Sequence, residues 1–443
     1  MSAKNILIIG AGRSSSSLIK YLLEESSKHN WKVTVADISL EMAQQKVNNH
    51  PNGSAIKFNI NDDKQRATEI AKADIVVSML PAFMHMSVAN DCVKMKKHLV
   101  TASYVSKEMA ALDSEAQKAG IVLLNEMGLD PGIDHMSAMQ IIDKLKAEGA
   151  EIISFKSYCG GLVAPESNDN PWGYKFSWNP RNVILAGQGT ALYIENGKYK
   201  YIPYNRLFTQ IESIEVDGYG IFEGYANRDS LSYRSAYGLE NIDTMLRGTL
   251  RMPGYCSAWN VFVKLGWTDD TYKIENSHKM TYAQLLDAYL PASNKTLKKR
   301  LADFMNISEN SEEIKKIEWL EVFTDKKIKT ENGTPAQILQ ELLEEKWQLK
   351  KEDKDMIVMQ HLFEYKMQGE KHYITSSLVT KGDNQTYTAM AKTVGLPAAI
   401  AVKMILLNQM QLKGVKIPTE KKIYEPILEE LKSFGINFIE KHC

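Results

Sequence analysis

Cysteine is scarce in this chain. Only 4 of its 443 residues are Cys (Cys92, Cys159, Cys256 and Cys443), and no two form a Cys-x-x-Cys pair. That excludes a disulfide scaffold and a cysteine-rich zinc site, and it suits a reducing, cytoplasmic setting. Net charge is absent as well, with Lys+Arg at 54 and Asp+Glu at 54. A general nucleic-acid binder carries a basic excess, so no nucleic-acid partner is expected. Long apolar runs are missing too. Ile6–Ile9 and Ile121–Leu124 are short against the roughly 18 residues of a membrane span, so no membrane partner is expected. The stretch from Met1 to Asn5 runs straight into an apolar, strand-like segment and lacks the layout of a signal peptide.

The composition is 44% hydrophobic and 24% charged, ordinary for a soluble globular protein. The length accommodates about two to four domains. Along the first 130 residues, strand and helix patterns alternate. Strands are predicted at Asn5–Ile9, Trp31–Ala36, Ala55–Phe58, Asp74–Leu80, His98–Ala102 and Ile121–Asn125. Helical patterns follow the first, second, fourth and fifth, the last of them over Lys107–Ala119. Such alternation indicates βαβ units and a doubly wound parallel sheet of the Rossmann type. After Asp130-Pro131-Gly132 a helix is predicted over His135–Ala147, then a long, less regular region rich in Tyr, Trp, Gly and Asn. Ile357–Tyr365 and His372–Lys381 are strand candidates joined by a polar turn, and Ala389–Met410 is an apolar helical stretch. The tail carries an amphipathic segment, Ile427–Phe434. The class is therefore α/β, with a doubly wound domain over residues 1–131 and a mixed α+β domain over 132–387.

Gly10-Ala11-Gly12-Arg13-Ser14-Ser15 lies between the first strand and its helix. Gly10 permits the tight turn, Gly12 lets the backbone approach a pyrophosphate at the positive helix end, and Ser15 is the small third residue. Arg13 is the one basic residue close to the phosphates. Asp37 ends the second strand, where a carboxylate accepts hydrogen bonds from a ribose hydroxyl pair and repels a 2′-phosphate. No Arg or Lys lies between Val33 and Gln45. NAD is therefore expected, with NADP as the alternative. A second reading of Asp37, as the cap of the next helix, stands beside the first. Ser78, Leu80 and Pro81 follow the fourth strand, along the nicotinamide end of a dinucleotide. Ser103, Tyr104, Glu126 and Asp130 follow strands five and six, at the edge where ligands of open α/β sheets bind.

Five further strings carry a resemblance: NEMGLDPGIDH from Asn125, SYCGGLVAPESNDNPWGYKFSW from Ser157, EGYANRDS from Glu223, RGTLRMP from Arg247 and TAMAKTVGLP from Thr388. With the glycine loop they resemble the saccharopine reductase family (saccharopine dehydrogenase, glutamate-forming), and they span nearly the whole chain. The resemblance implies that residues 388–443 return to complete the dinucleotide domain. It implies oxidation of saccharopine to L-glutamate and 2-aminoadipate 6-semialdehyde, or the reverse condensation. It implies substrate contacts at Ser103, Tyr104, Arg228, Gly248, Thr249 and Leu250. It implies cofactor contacts at Leu129, Asp130, Pro131 and Ser177. One departure stands out: fungal members look NADP-dependent and carry a basic residue after strand two, where this chain has Asp37.

Saccharopine carries three carboxylates and a secondary amine. Arg228, Arg247 and Arg251 offer bidentate grips, and Lys175 is a further cation. Arg247 and Arg251 equally suit pairing with acids inside their own domain. A base must take the amine proton and a second group must handle water. Asp130 is the first candidate and Tyr104 the second, with Glu126, Lys175 and Cys159 behind them. Cys159, between Tyr158 and Gly160, is more often a small packed residue than a nucleophile. None of the 9 histidines forms a metal-ligand pattern. A carboxynorspermidine dehydrogenase of the same fold is the alternative enzyme, though the arginine density favours a tricarboxylate. A homodimer is expected from base rates alone.

Overall fold

The computed structural model describes residues 3–442; Met1, Ser2 and Cys443, the last of the four cysteines, lie outside the described residues. The chain forms two compact units. The first holds the residues up to Ile152 together with Tyr365–His372 and Leu378–His442. The second holds Ile153–Glu364 and Tyr373–Ser377. Helix Ile133–Ala147 is thus counted with the first unit rather than with the expected 132–387 segment.

In the first unit, β1 (Lys4–Ile9), β2 (Trp31–Asp37), β3 (Gly53–Lys57), β4 (Ile75–Ser78), β5 (His98–Thr101) and β6 (Val122–Leu124) match the six predicted strands. They form a parallel sheet in the order β6-β5-β4-β1-β2-β3. β4 and β6 are buried at every residue, as parallel strands covered on both faces require. A seventh strand, Gly414–Lys416, pairs parallel with β6. Its three residues are too few to show a pattern in sequence. Helix Asp63–Lys72, between β3 and β4, was also missed. Its signal was Asp62, whose carboxylate caps it by accepting from Gln65 N at 3.0 Å. The expected helix Lys107–Ala119 breaks at Leu112 into two short ones.

Helix Ala389–Leu406 packs on helix Ser16–His29 within the same unit. Its 18 residues have a mean hydropathy of 1.5, and 78% of them are buried, as for a core helix. Gly395 makes the packing close. A Cβ there would lie 2.9 Å from Leu18 N and 3.3 Å from Ser14 O.

The second unit is built on a mixed sheet. Its strands are β7 (Glu151–Val163), β8 (Ala191–Glu195), β9 (Lys198–Ile202), β10 (Ile211–Val216), β11 (Gly220–Ala226), β12 (Thr244–Arg251), β13 (Asp355–Met367) and β14 (Glu370–Lys381), of which the first two residues of β7, the end of β13 and both ends of β14 are counted with the first unit. Neighbours run β10-β11-β12-β7-β13-β14, with β12 parallel to β7 and antiparallel to β11. The β13–β14 turn uses Gln368 and Gly369, both at positive φ (54° and 88°), as a two-residue hairpin demands. The stretch read as irregular holds β8–β12 and helices such as Tyr282–Tyr289 and Pro335–Lys346. Trp172, Tyr174, Tyr255 and Trp347 form its aromatic core.

Alanine favours a helix over glycine by about 1 kcal/mol, whereas overpacking against backbone costs about 1–3 kcal/mol. Gly395→Ala is therefore expected to lower stability in chemical unfolding, because the first turn of Ser16–His29 must shift. A stabilised variant would show that the two helices have room to spare.

Candidate active site

The glycine loop leaves β1 and passes through a single 3-10 turn, Arg13–Ser15, into helix Ser16–His29. Gly10 has φ 108°, and a Cβ on it would lie 2.9 Å from Met79 O, so glycine is required there. Gly12 differs. A Cβ on it would meet nothing within 4 Å, so its bareness serves no packing inside the chain and leaves the loop open to a ligand. Ser15 is buried and donates its hydroxyl to Gly12 O at 2.8 Å. Arg13 is exposed and Ser14 half-buried.

Asp37 accepts from Ala11 N at 2.7 Å and from Ser39 N at 2.9 Å. The carboxylate thus ties the end of β2 to the glycine loop. It does not cap the following helix; Ser39 does, accepting from Met42 N. One base lay just past the window searched in sequence. Lys46 reaches across to donate to Ser16 Oγ at the start of the phosphate helix, and burial lowers its pKa.

Ser78 ends β4 and is buried, while Leu80 is half-buried and Pro81 exposed on the loop behind it. Ser103 and Tyr104 follow β5. Between them and Ser78 stands His85, the first residue of the next helix; its ring contacts Ser78 and Ser103. Tyr104 donates its hydroxyl to Asp130 Oδ1 at 3.0 Å, so the two proposed acid–base residues form a pair.

Glu126 is buried at φ 59°. Its carboxylate accepts from Val105 N at 3.0 Å and lies 2.7 Å from His135 Nε2. It therefore fastens the loop after β5 to the helix after β6 and is spent as a structural group. Residues 128–132 close a tight loop: Gly128 N donates to Pro131 O, Ile133 N donates to Gly128 O, and the Asp130–Pro131 bond is cis. Gly132 has φ 148°, and a Cβ there would collide with Gly128 O at 2.0 Å. The loop carries Leu129, buried, and Asp130, half-buried.

In the second unit, the register sets Thr249 of β12 beside Tyr225 of β11 and Cys159 of β7. Arg247 and Arg251 alternate with Thr249 on the same face. Arg251 is buried with its guanidinium 5.2–5.9 Å from the ring centroids of Tyr174, Tyr225 and Tyr255. It donates to Leu250 O, and its Nε finds no partner. No acidic side chain pairs with it among the described residues. Arg247 is buried over the Tyr233 ring at 4.4 Å. Arg228 is exposed at φ 45° just beyond β11. Gly248 faces the ring of Tyr158, which a Cβ would approach to 2.5 Å, so this glycine serves packing. Lys175 is buried between Asp169 at 2.8 Å and Asp353 at 2.7 Å, so both the substrate grip and the acid–base role considered for it give way to structural ion pairs. Ser177 is buried with an unpartnered hydroxyl. Among the described residues no group of three or more His, Cys, Asp or Glu is placed to hold a metal.

Comparison with known proteins gives consistent matches. Residues 6–124 match the saccharopine dehydrogenase NADP binding domain, and residues 128–436 match the saccharopine dehydrogenase C-terminal domain. The chain is 36% identical to a saccharopine dehydrogenase [NADP(+), L-glutamate-forming] of Pyricularia oryzae, covering 100% of this chain and 99% of that one. It is 38% identical to a mitochondrial alpha-aminoadipic semialdehyde synthase of Rattus norvegicus, of which it spans 47%. Its fold superposes on apo saccharopine dehydrogenase (L-Glu forming) of Saccharomyces cerevisiae with a TM-score of 0.90, at 34% identity over 99% of this chain and 100% of that one.

Removing the Glu126 carboxylate takes away the acceptor of Val105 N and the partner of the buried His135 Nε2. Glu126→Ala is expected to cost about 3 kcal/mol in urea unfolding. A loss below about 0.5 kcal/mol, the range of a neutral surface change, would show that the loops after β5 and β6 are held by something else.

Proposed function

This chain belongs to the saccharopine dehydrogenase family, and from that premise we propose that it oxidises L-saccharopine, with water and a nicotinamide dinucleotide, to L-glutamate and 2-aminoadipate 6-semialdehyde. The observation that carries the reading is a relative named for that activity, 36% identical from end to end. Lysine metabolism is the setting.

The bare Gly12 and the positive end of helix Ser16–His29 fit a dinucleotide. When bound, its nicotinamide accepts hydride from the carbon that bears the secondary amine. Asp130 takes the proton from that amine. Tyr104 donates to Asp130 and keeps its oxygen lone pairs for the attacking water. Arg228, Arg247 and Arg251, with Ser103 and the Gly248–Leu250 backbone, hold the three carboxylates. Arg251 supports this best, because its charge meets no acid among the described residues. Leu80, Pro81, Leu129 and Pro131 line the cofactor.

The preferred dinucleotide is NAD(H). Asp37 uses one lone pair of each oxygen on backbone N–H groups and keeps others for a ribose diol, and it repels a 2′-phosphate. The second reading, NADP(H), draws on the printed names of the fungal relatives and on Lys46 at the helix start. The reading also includes a cytoplasmic homodimer, supported by the low cysteine content and the frequency of closed dimers.

Absorbance at 340 nm tests these points. L-Saccharopine with NAD is expected to give NADH and glutamate, with much weaker signal from NADP; equal efficiency with both would remove the role of Asp37. Silence with either cofactor, followed by turnover of a carboxynorspermidine imine, would replace the substrate. Asp130→Asn is expected to reduce kcat by about 10²-fold, the scale of a lost general base. A rate within a few-fold of the parent would assign the proton transfer elsewhere.

A further inference from the structure

His85 opens helix His85–Met95 and is buried. Its ring meets hydroxyls only. Nδ1 lies 2.8 Å from Ser78 Oγ, and Nε2 lies 2.7 Å from Ser103 Oγ and 3.2 Å from Thr101 Oγ1. Burial pushes its pKa down to about 4, so the ring is neutral near pH 7 and carries one N–H and one lone pair. Which nitrogen holds the proton follows from Ser78. That side chain is fully buried, and among the described residues its hydroxyl has His85 Nδ1 as its only hydrogen-bond partner. A proton on Nδ1 would strand the Ser78 O–H and a proton on Nε2 strands the Thr101 O–H, also buried, so the tautomer follows the shorter contact, 2.8 Å to Ser78 against 3.2 Å to Thr101. With Nδ1 as acceptor, Nε2 carries the proton and donates to Ser103 Oγ. Thr101 Oγ1 meanwhile accepts from Ser103 N at 3.3 Å. Ser103 is half-buried, so its own O–H remains available to a ligand.

We propose that His85 is a positioning residue, held as the Nε2–H tautomer, which turns the Ser103 hydroxyl into a donor toward a substrate carboxylate. Had the ring been wired the other way, Ser103 would spend its proton on Nε2 and present only lone pairs, which repel a carboxylate. This rests on the reading of Ser103 as a substrate contact.

Two measurements test it. In long-range 1H–15N spectra of the free, histidine-labelled protein, the signal lost in His85→Gln is expected to be a neutral Nε2–H imidazole from pH 6 to 8. An Nδ1–H or doubly protonated ring overturns the proposal whatever the kinetics. In saccharopine oxidation, His85→Ala and Ser103→Ala are each expected to raise the saccharopine KM about tenfold, the size of one lost hydrogen bond to a charged group. The dinucleotide KM stays unchanged, and the double variant is no worse than Ser103→Ala. His85→Gln, which supplies both a donor and an acceptor, recovers most of the loss and covers the case in which His85→Ala does not fold. Additive effects, or a shift confined to the dinucleotide KM, overturn the proposal. An unchanged KM in Ser103→Ala overturns it too, while leaving the saccharopine activity intact; only silence of the parent enzyme counts against the activity itself.

Discussion

One buried carboxylate determines where the groups proposed to react stand. Glu126 sits at positive φ past the end of β6, accepts from Val105 N, and contacts His135 from the next helix. Burying a charge is costly unless it is paired and hydrogen-bonded, and here both conditions hold. The loop after β5, with Ser103 and Tyr104, is thereby held against the segment after β6, with Asp130. The 3.0 Å contact from Tyr104 to Asp130 follows from that fastening rather than from anything local to either residue. The Gly128–Gly132 loop completes it, since Gly132 admits no side chain.

Asp37, Glu126 and Asp130, the carboxylates that follow strands of the first unit, differ in what they accept from. Asp37 and Glu126 accept from backbone N–H groups and stabilise loops. Asp130 accepts from a tyrosine hydroxyl and is only half-buried. A group tied to backbone cannot move or change protonation without breaking a loop, whereas a group tied to a phenol keeps an exchangeable partner. That is the physical reason to give proton transfer to Asp130 and not to Glu126, although topology alone places both at the same edge of the sheet.

Much of the first unit was legible because its strands are buried on both faces and read as apolar runs: Ile6–Ile9, Ile75–Val77 and Leu99–Val100 cannot be mistaken. The glycine loop was legible because Gly10 and Gly12 follow such a run. Gly414–Lys416 was not, because three residues carry no periodicity and the strand exists only by pairing with β6. β12 was not, because Arg247 and Arg251 look like surface charges until the tyrosines around them are known. Helices Tyr282–Tyr289 and Pro335–Lys346 were missed although a signal stood in Thr281…Gln284 and Thr334…Gln337, both capping boxes in the structure. His85 left no readable trace: its meaning lies in Ser78 and Ser103, which the sheet brings to it from neighbouring strands.

Lys175 and Arg251 show why cation counting in a sequence overstates a binding site. Both are buried at a few per cent exposure and both lie in strings that resemble the same family. Lys175 has two carboxylates within 2.8 Å, so its charge is matched and it has none left for a ligand. Arg251 has three ring faces, one carbonyl and an unpartnered Nε. A guanidinium tolerates this better than an ammonium, being planar, weakly hydrated and well suited to aromatic faces. The tyrosine rings reduce the cost of its burial without neutralising it, which is why Arg251 is proposed to hold a substrate carboxylate. The two residues are alike in charge, burial and motif context; only the groups already spent on each separate a cation whose charge is matched from one whose charge is not.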